Sequence, residues 1–471
     1  YSTGVLFNND IVVNATSGSG VQFCGGNATA SAVLASGQTI STGVNGFSSG
    51  ILSLRHFTQS GSIPVNLSTT GNSEVRLGPS GNFGGAVTIS SPNIYASTSV
   101  FNSPVILTKT DGTASNASSG GNTFNADLTV NYFSSTGTGF WSFANGLPDV
   151  YNGNVYSNNN SLDRIIFGHN SANNQFNGNF IITQTGSSQG TALTWNNTAS
   201  SVMAAGKTIS IGGAGFSTGY FYIQGYTQNG SAPINLTTTG SSAIYTGAGV
   251  SNNPSVIGGD FSVVAPDIYI KGTTFNGEVT ITKTGGVSNH NDGRQNIFNG
   301  TLFINQQSST GYFMLGYNSN DQFNDDIIVS STGSGDINFG YASGSGTPTL
   351  AAGKTIQIGS AGYSDGMLSL NSFTQYGNAP LNLAFTGTHS AIRFARNTVI
   401  GGNLVVSSPN IYFDGCTFNG TVDATKTGSG SNAGRGGNIF NQHCNITNNG
   451  SGYLLLGNID ADIWNDDVVF T

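Results

Sequence analysis

The chain has 471 residues, of which only 13 are Lys or Arg and 21 Asp or Glu, so its charged fraction of 7% stands far below the roughly 25% of average globular proteins. A net charge of −8 with scattered cations excludes the basic stripe that nucleic-acid binding needs, and three cysteines exclude a disulfide framework. Sixty-nine glycines alone would allow disorder, but 29 Phe and 17 Tyr placed in a period-2 pattern demand a core.

In chain order, the first element is an aromatic residue followed by Asn, then alternating apolar and polar residues. It opens at Phe7-Asn8 and returns at Phe101-Asn102, Phe124-Asn125, Tyr151-Asn152, Phe176-Asn177, Phe275-Asn276, Phe298-Asn299, Phe323-Asn324, Phe418-Asn419, Phe440-Asn441 and Trp464-Asn465. Within each cluster the copies lie 22 to 27 residues apart. Apolar residues follow four places after each aromatic (Ile11, Val105, Leu128, Leu302) and six places after it (Val13, Leu107, Val130, Ile304), Ser157 being the polar exception. That alternation predicts a strand with one face inward. A small or polar residue two places after the aromatic predicts a bend, and no stretch carries helical periodicity.

A longer repeat encloses the short one. Gly37-Gln38-Thr39-Ile40 matches Gly206-Lys207-Thr208-Ile209 and Gly353-Lys354-Thr355-Ile356, and Phe57-Thr58-Gln59 matches Tyr226-Thr227-Gln228 and Phe373-Thr374-Gln375. Pro92-Asn93-Ile94-Tyr95 then recurs as Pro266-Asp267-Ile268-Tyr269 and Pro409-Asn410-Ile411-Tyr412. Thr108-Lys109-Thr110 recurs as Thr282-Lys283-Thr284 and Thr425-Lys426-Thr427. The long repeats run approximately over 7–175, with one extra short unit near 151, then 176–322 and 323–463, and a further copy starts at 464–471. A whole short unit has entered without disturbing its neighbours, which stacked coils tolerate and a closed core does not. The expected fold is all-β: one continuous parallel β-helix (β-solenoid) over 1–471. About 19–20 coils of roughly 24 residues would give a length on the order of 95 Å at a strand spacing near 4.8 Å. Right-handed winding is the default for parallel crossovers, a left-handed solenoid the alternative. Both ends stand in the same phase of the repeat, so the chain is expected to be a window of a longer one.

The phrase itself is expected to supply the structural sites. The aromatics should stack as an internal ladder, and the adjacent Asn residues should form an inward amide ladder, since both stabilise in-register parallel strands. The alternative for Asn is a simple positive-φ bend.

Catalytic and ligand motifs fare poorly. Gly206-Lys207-Thr208 and Gly353-Lys354-Thr355 lack the earlier glycine of a phosphate loop, holding Ser201 and Pro348 there, and no helix follows. The pairs Asp325-Asp326 and Asp466-Asp467, matched by Asn9-Asp10, are candidates for Ca²⁺, but the calcium-roll nonapeptide spacing is missing, and solvated carboxylates near a turn are the expected reading. Cys444 occupies an apolar strand position, and Cys416 replaces Ser99 and Thr273. Carboxylates are few and recur across repeats instead of pairing in one groove. The histidines His56, His169, His290, His389 and His443 occupy unrelated phases. No enzyme and no cofactor are expected.

The phrases FNG-x-V-x-I, LAAGKTI-x-IG and FTQ-x-G-x-x-P-x-NL cover the whole chain, and with them it resembles the giant Gly/Asn/Ser/Thr-rich surface repeat proteins of gliding and filamentous Bacteroidetes. That resemblance implies type IX secretion, an extracellular or cell-surface location, and a role as adhesin or fibre, a grappling-hook-type filament included. The expected function is a stiff structural shaft, bundled with copies of itself because one aromatic of Tyr220-Phe221-Tyr222 must face outward. Cell-surface glycans or prey and host surfaces are the other expected partners, with no nucleic acid and no membrane insertion. The alternative is a carbohydrate-binding or polysaccharide-degrading parallel β-helix.

Overall fold

A computed structural model describes residues 4–24, 30–111, 115–134, 139–186, 189–247, 254–291 and 294–471. Among them there is no helix, and the strands form long, all-parallel sheets: the fold is an all-β parallel solenoid. The chain divides into two compact units, Tyr1–Ile234 with Thr238–Ser242 and Gly249–Asn253, and Asn235–Thr237 with Ala243–Ala248 and Pro254–Thr471.

In both units each coil contributes one strand to each of three faces. In the first unit the coil of Phe101 shows the plan. A short first-face strand, Val100–Phe101, leads through Asn102 and Ser103 to the second-face strand Val105–Lys109, and then to the third-face strand Asn116–Ala117. Each strand bonds the equivalent strand one coil away: Phe83↔Phe101↔Phe124↔Tyr151↔Phe176 on the first face, and Val87↔Val105↔Leu128↔Val155↔Phe180 on the second. The second unit repeats the plan with Phe275↔Phe298↔Phe323 and Val279↔Leu302↔Ile327. Second-face strands alternate as the sequence predicts, Leu128, Val130 and Tyr132 being buried and the residues between them half-exposed.

The coils are not uniform, and the long repeat records where they differ. Leu34, Gln59, Met203, Leu350 and Gln375 occupy the aromatic position in coils that lack the phrase. Gly37, Gly206 and Gly353 take positive φ (87°, 75° and 81°), and the next N–H bonds back to Ala35, Ala204 and Ala351. The Gly-Lys-Thr motif is therefore a tight turn whose third position requires glycine. It is followed by a long second-face strand, Ile40–Phe47, Ile209–Phe216 or Ile356–Tyr363, with an exposed bulge in its middle.

The third face breaks at one phase of each long repeat. A single proline separates second-face from third-face strand at Ser91-Pro92-Asn93, Ala265-Pro266-Asp267 and Ser408-Pro409-Asn410, where a residue with fixed φ and no N–H suits a sharp corner. On the far side of the break a buried Asn replaces the missing ladder bond. Asn116, Asn289 and Asn432 accept from the N–H of Ile94, Ile268 and Ile411 at 3.4, 3.1 and 3.2 Å. They donate in turn to Asn93, Asp267 and Asn410 at 3.1, 3.2 and 3.0 Å, which explains the polar residue after each proline. Replacing Asn432 by Ala leaves the N–H of Ile411 buried without an acceptor. We expect a loss of ~1–3 kcal/mol, measured by urea unfolding.

Candidate functional site: the axial columns

The side chains that recur along the axis form three columns and a fourth recurring group, and together they are the functional candidate. The first is aromatic. In the first unit Phe83, Phe101, Phe124, Tyr151 and Phe176 lie with successive ring centroids 5.1, 4.8, 5.4 and 4.8 Å apart and planes within 19°. In the second unit Phe275, Phe298 and Phe323 stack at 5.1 and 5.2 Å, and Phe418, Phe440 and Trp464 at 5.1 and 4.1 Å. The column needs an aromatic in each successive coil. Phe7 lies outside it, because its register partner is Leu34, and it meets Phe23 edge-on instead.

The second column is the amide ladder, and here the expected direction needs correction. Asn102, Asn125, Asn152 and Asn177 each donate Nδ2–H to Oδ1 of the Asn one coil back, at 3.1, 2.9, 2.9 and 2.8 Å, starting from Asn82. Asn276, Asn299 and Asn324 do the same at 2.9 and 2.8 Å, and Asn419, Asn441 and Asn465 at 2.9 and 2.8 Å. These amides lie on the outside, exposed, instead of inward. The aromatic is buried, so strand alternation sends the next residue out. Asn8 has Ala35 after its register partner Leu34 and so has no amide one coil on.

The third column was missed. Two residues before the aromatic stand Ser99, Asn122, Asp149 and Asn174 in the first unit, and Thr273, Asn296, Asp321, Cys416 and Asn438 in the second, all buried. The Asn and Asp oxygens accept from the backbone N–H one coil back: Asn122 from Ser99 at 3.2 Å, Asp149 from Asn122 at 2.7 Å, Asn174 from Asp149 at 3.1 Å, Asp321 from Asn296 at 2.8 Å. Asp462 accepts from Asn438 at 2.9 Å. The signal was legible, because small hydrogen-bonding residues occupy this phase in every copy of the phrase but the first, which has Val5. Full burial pushes the carboxyls of Asp149 and Asp321 up to about 7, against the lowering effect of their hydrogen bonds.

The fourth recurring group is cationic and stands once in each long repeat, its register partners being Tyr132, Gln306 and Asn448. Lys109, Lys283 and Lys426 of the Thr-Lys-Thr motif are fully buried. Lys109 and Lys283 donate to the corner carbonyls of Pro92 and Pro266 at 2.9 Å, and Lys283 also to Gly285 at 2.7 Å and Asp267 at 3.4 Å. Lys426 donates to Gly428 and Gly452. Burial lowers all three amines, Lys109 to about 8. The glutamine of Phe-Thr-Gln staples the next turn similarly, Gln228 and Gln375 donating to Ala232 and Ala379 at 2.7 and 2.9 Å.

The residues weighed for other chemistry have structural partners. Asp325 pairs with Lys354 at 2.5 Å, and Asp326 accepts from the N–H of Thr355 at 2.8 Å, as Asp10 does from Thr39. Among the described residues no group of three or more His, Cys, Asp or Glu is placed to hold a metal. Cys24, Cys416 and Cys444 are buried and unbridged, and burial pushes the thiol of Cys444 up to about 12.

Two outcomes test the columns. Phe298→Ala should cost ~3–5 kcal/mol, as truncation of a buried ring does. Asn299→Ala should cost about 1 kcal/mol, one exposed rung being a modest net hydrogen bond. Both are read from urea midpoints. The buried carboxyls set a pH dependence of definite sign. Their folded values lie above the unfolded value near 4, so their contribution is fully present below about pH 4 and is lost as pH rises through about 7. Asp149→Asn/Asp321→Asn puts the amide of Asn122, Asn174 and Asn296 at both positions. We expect it to flatten the fall in urea midpoint between pH 4 and 8 relative to the parent, and to be the more stable protein at pH 8.

Comparison with protein-family models, with curated proteins and with solved structures finds no match, so the columns themselves carry the functional argument.

Proposed function

We propose that the chain is a shaft segment of an extracellular fibre or cell-surface adhesin, a stiff solenoid whose task is length and mechanical strength. The observation that carries this is the direction of the bonding. In each unit, strands, rings, amides and buried polar side chains all bond to the equivalent group one coil away, so the recurring residues are spent on cohesion along the axis. Thirteen Lys and Arg, three of the lysines fully buried, leave few sites for trypsin-like proteases, which suits exposure outside the cell. Tyr220 lies 41% exposed beside buried Phe221, and an outward aromatic supports lateral packing of copies. The sequence resemblance to surface repeat proteins points the same way.

Immunogold electron microscopy of intact cells that make the protein tests this. Label should lie along filaments or fibrils projecting from the surface. Label confined to the interior of broken cells, or turnover of polysaccharides by the purified chain, would overturn it.

A further inference from the structure

The columns account for the first two faces and for the corners, but not for a cleft that recurs on the third face. Arginine marks it. The chain has seven arginines, and five of them, Arg55, Arg76, Arg393, Arg396 and Arg435, line two clefts, one in each unit. The cleft of the second unit has a volume of ≈ 590 Å³ and that of the first ≈ 270 Å³.

The two clefts are built on the same register. In the first unit Gln22, Ser53, Arg76 and Tyr95 are successive partners in the third-face ladder. In the second unit the series is Asn338, Ser369, Arg393 and Tyr412. Each series runs amide, serine, guanidinium and phenol, one per coil, at a strand spacing of about 4.8 Å; Tyr95 lines the first cleft, whereas Tyr412 stands next to Arg393 outside the lining of the second. The guanidinium lies near the ring in both, 5.7 Å from its centroid for Arg76 and Tyr95, and 5.8 Å for Arg393 and Tyr412. Each is already paired with a carboxylate of the chain, Arg76 with Glu74 and Arg393 with Asp414 at 2.6 Å; Asp336 and Asp414 also line the second cleft. Ser53 and Ser369 alternate with inward leucines and are only 4% and 2% exposed, and Ser369 Oγ accepts from Asn371 Nδ2 at 3.0 Å.

A second guanidinium reaches the same place by two routes. In the first unit it is Arg55, with Pro79 one coil on, the N–H of the adjacent His56 bonding Pro79 O at 2.8 Å. In the second unit the equivalent of Arg55 is Asn371, and Arg396 stands where Pro79 was, with Ser372 N–H bonding Arg396 O at 2.9 Å. His56 and Ser372 share a positive φ of 47°, so the backbones match while the cation has moved to the neighbouring coil. Both positions keep a buried polar atom with no hydrogen-bond partner, Nε of Arg55 and Oδ1 of Asn371, and Asn371 is only 6% exposed. Such atoms are costly unless a ligand satisfies them. The long repeat between them lacks the device: Tyr245 takes the place of Arg76 and Arg393, and stacks on Tyr269 at 4.3 Å.

We propose that these two clefts bind a saccharide bearing carboxylates, with Arg55 in the first and Arg396 in the second as the fork on the carboxylate, the amides of Gln22 and Asn338 on ring hydroxyls, and Tyr95 as platform in the first cleft. Arginine, and not lysine, supplies the planar fork that matches a carboxylate. The floor's backbone is already spent in the parallel ladder, so an acidic peptide could not add as a strand, and only side chains remain to read a ligand. This goes beyond the shaft reading and does not rest on it: a shaft without clefts and a binder without a fibre would each fail a different test.

Calorimetric titration of the full chain with uronic-acid oligomers, their uncharged hexose counterparts and a poly-glutamate peptide decides it. Uronate should bind, weakening as salt rises. Arg55→Ala/Arg396→Ala should weaken it at least tenfold, and Tyr95→Leu should independently weaken it at the first cleft, with far-UV spectra and thermal midpoints unchanged. Lys207→Ala, which removes a cation from a turn outside both clefts, should leave binding as it was. Absence of uronate binding, equal binding of the neutral oligomers or the peptide, or an equal loss with Lys207→Ala would overturn the proposal.

Discussion

The structure depends on one constraint: a residue's neighbour along the axis is its own counterpart one coil away, in register. Parallel pairing imposes it, and side chains at one phase must therefore suit contact with themselves. Few side chains do so well. Aromatic rings stack, amides donate to amides, and small polar groups accept from a backbone N–H, whereas like charges repel. The low charge of the chain follows from that condition.

Cations survive inside the solenoid only where repetition is interrupted. Lys109 and Lys283 donate to the corner carbonyls of Pro92 and Pro266, and Lys426, at the matching place in the long repeat, donates to Gly428 and Gly452. Asp149 and Asp321 survive inside a column because Asn122 and Asn296 flank them and donate, and because burial favours the neutral acid. The long repeat is thus the spacing of the irregular coils, those with a corner, a bulge or a glutamine staple, set among regular aromatic ones.

The fold was legible because it is written in periodicity. The alternation after Phe124 or Phe298 places strands, and the extra copy at Tyr151 shows the coil to be the module; Tyr151 indeed stacks between Phe124 and Phe176. The constancy of Asn102 and its counterparts suggests burial, yet their direction is outward. An exposed ladder constrains its members as tightly as a buried one, since each Asn must be both donor and acceptor. The buried polar column of Asn122 and Asp149 escaped notice for the opposite reason. Its members vary among Ser, Thr, Asn, Asp and Cys, and the common property is an acceptor of small size, not an identity. The third-face clefts were hidden because Arg55 and Arg396 occupy different coils, so no alignment of phrases brings them together.

Excision of residues 125–151, which joins Phe124 directly to Asn152, tests the central claim that each coil is held by in-register contact with its neighbours. If that holds, Phe124 meets Phe176 in place of Tyr151, and the shortened chain keeps its β-sheet spectrum and a cooperative urea transition. A shortened chain that aggregates, loses its sheet signal or unfolds without cooperativity would contradict it.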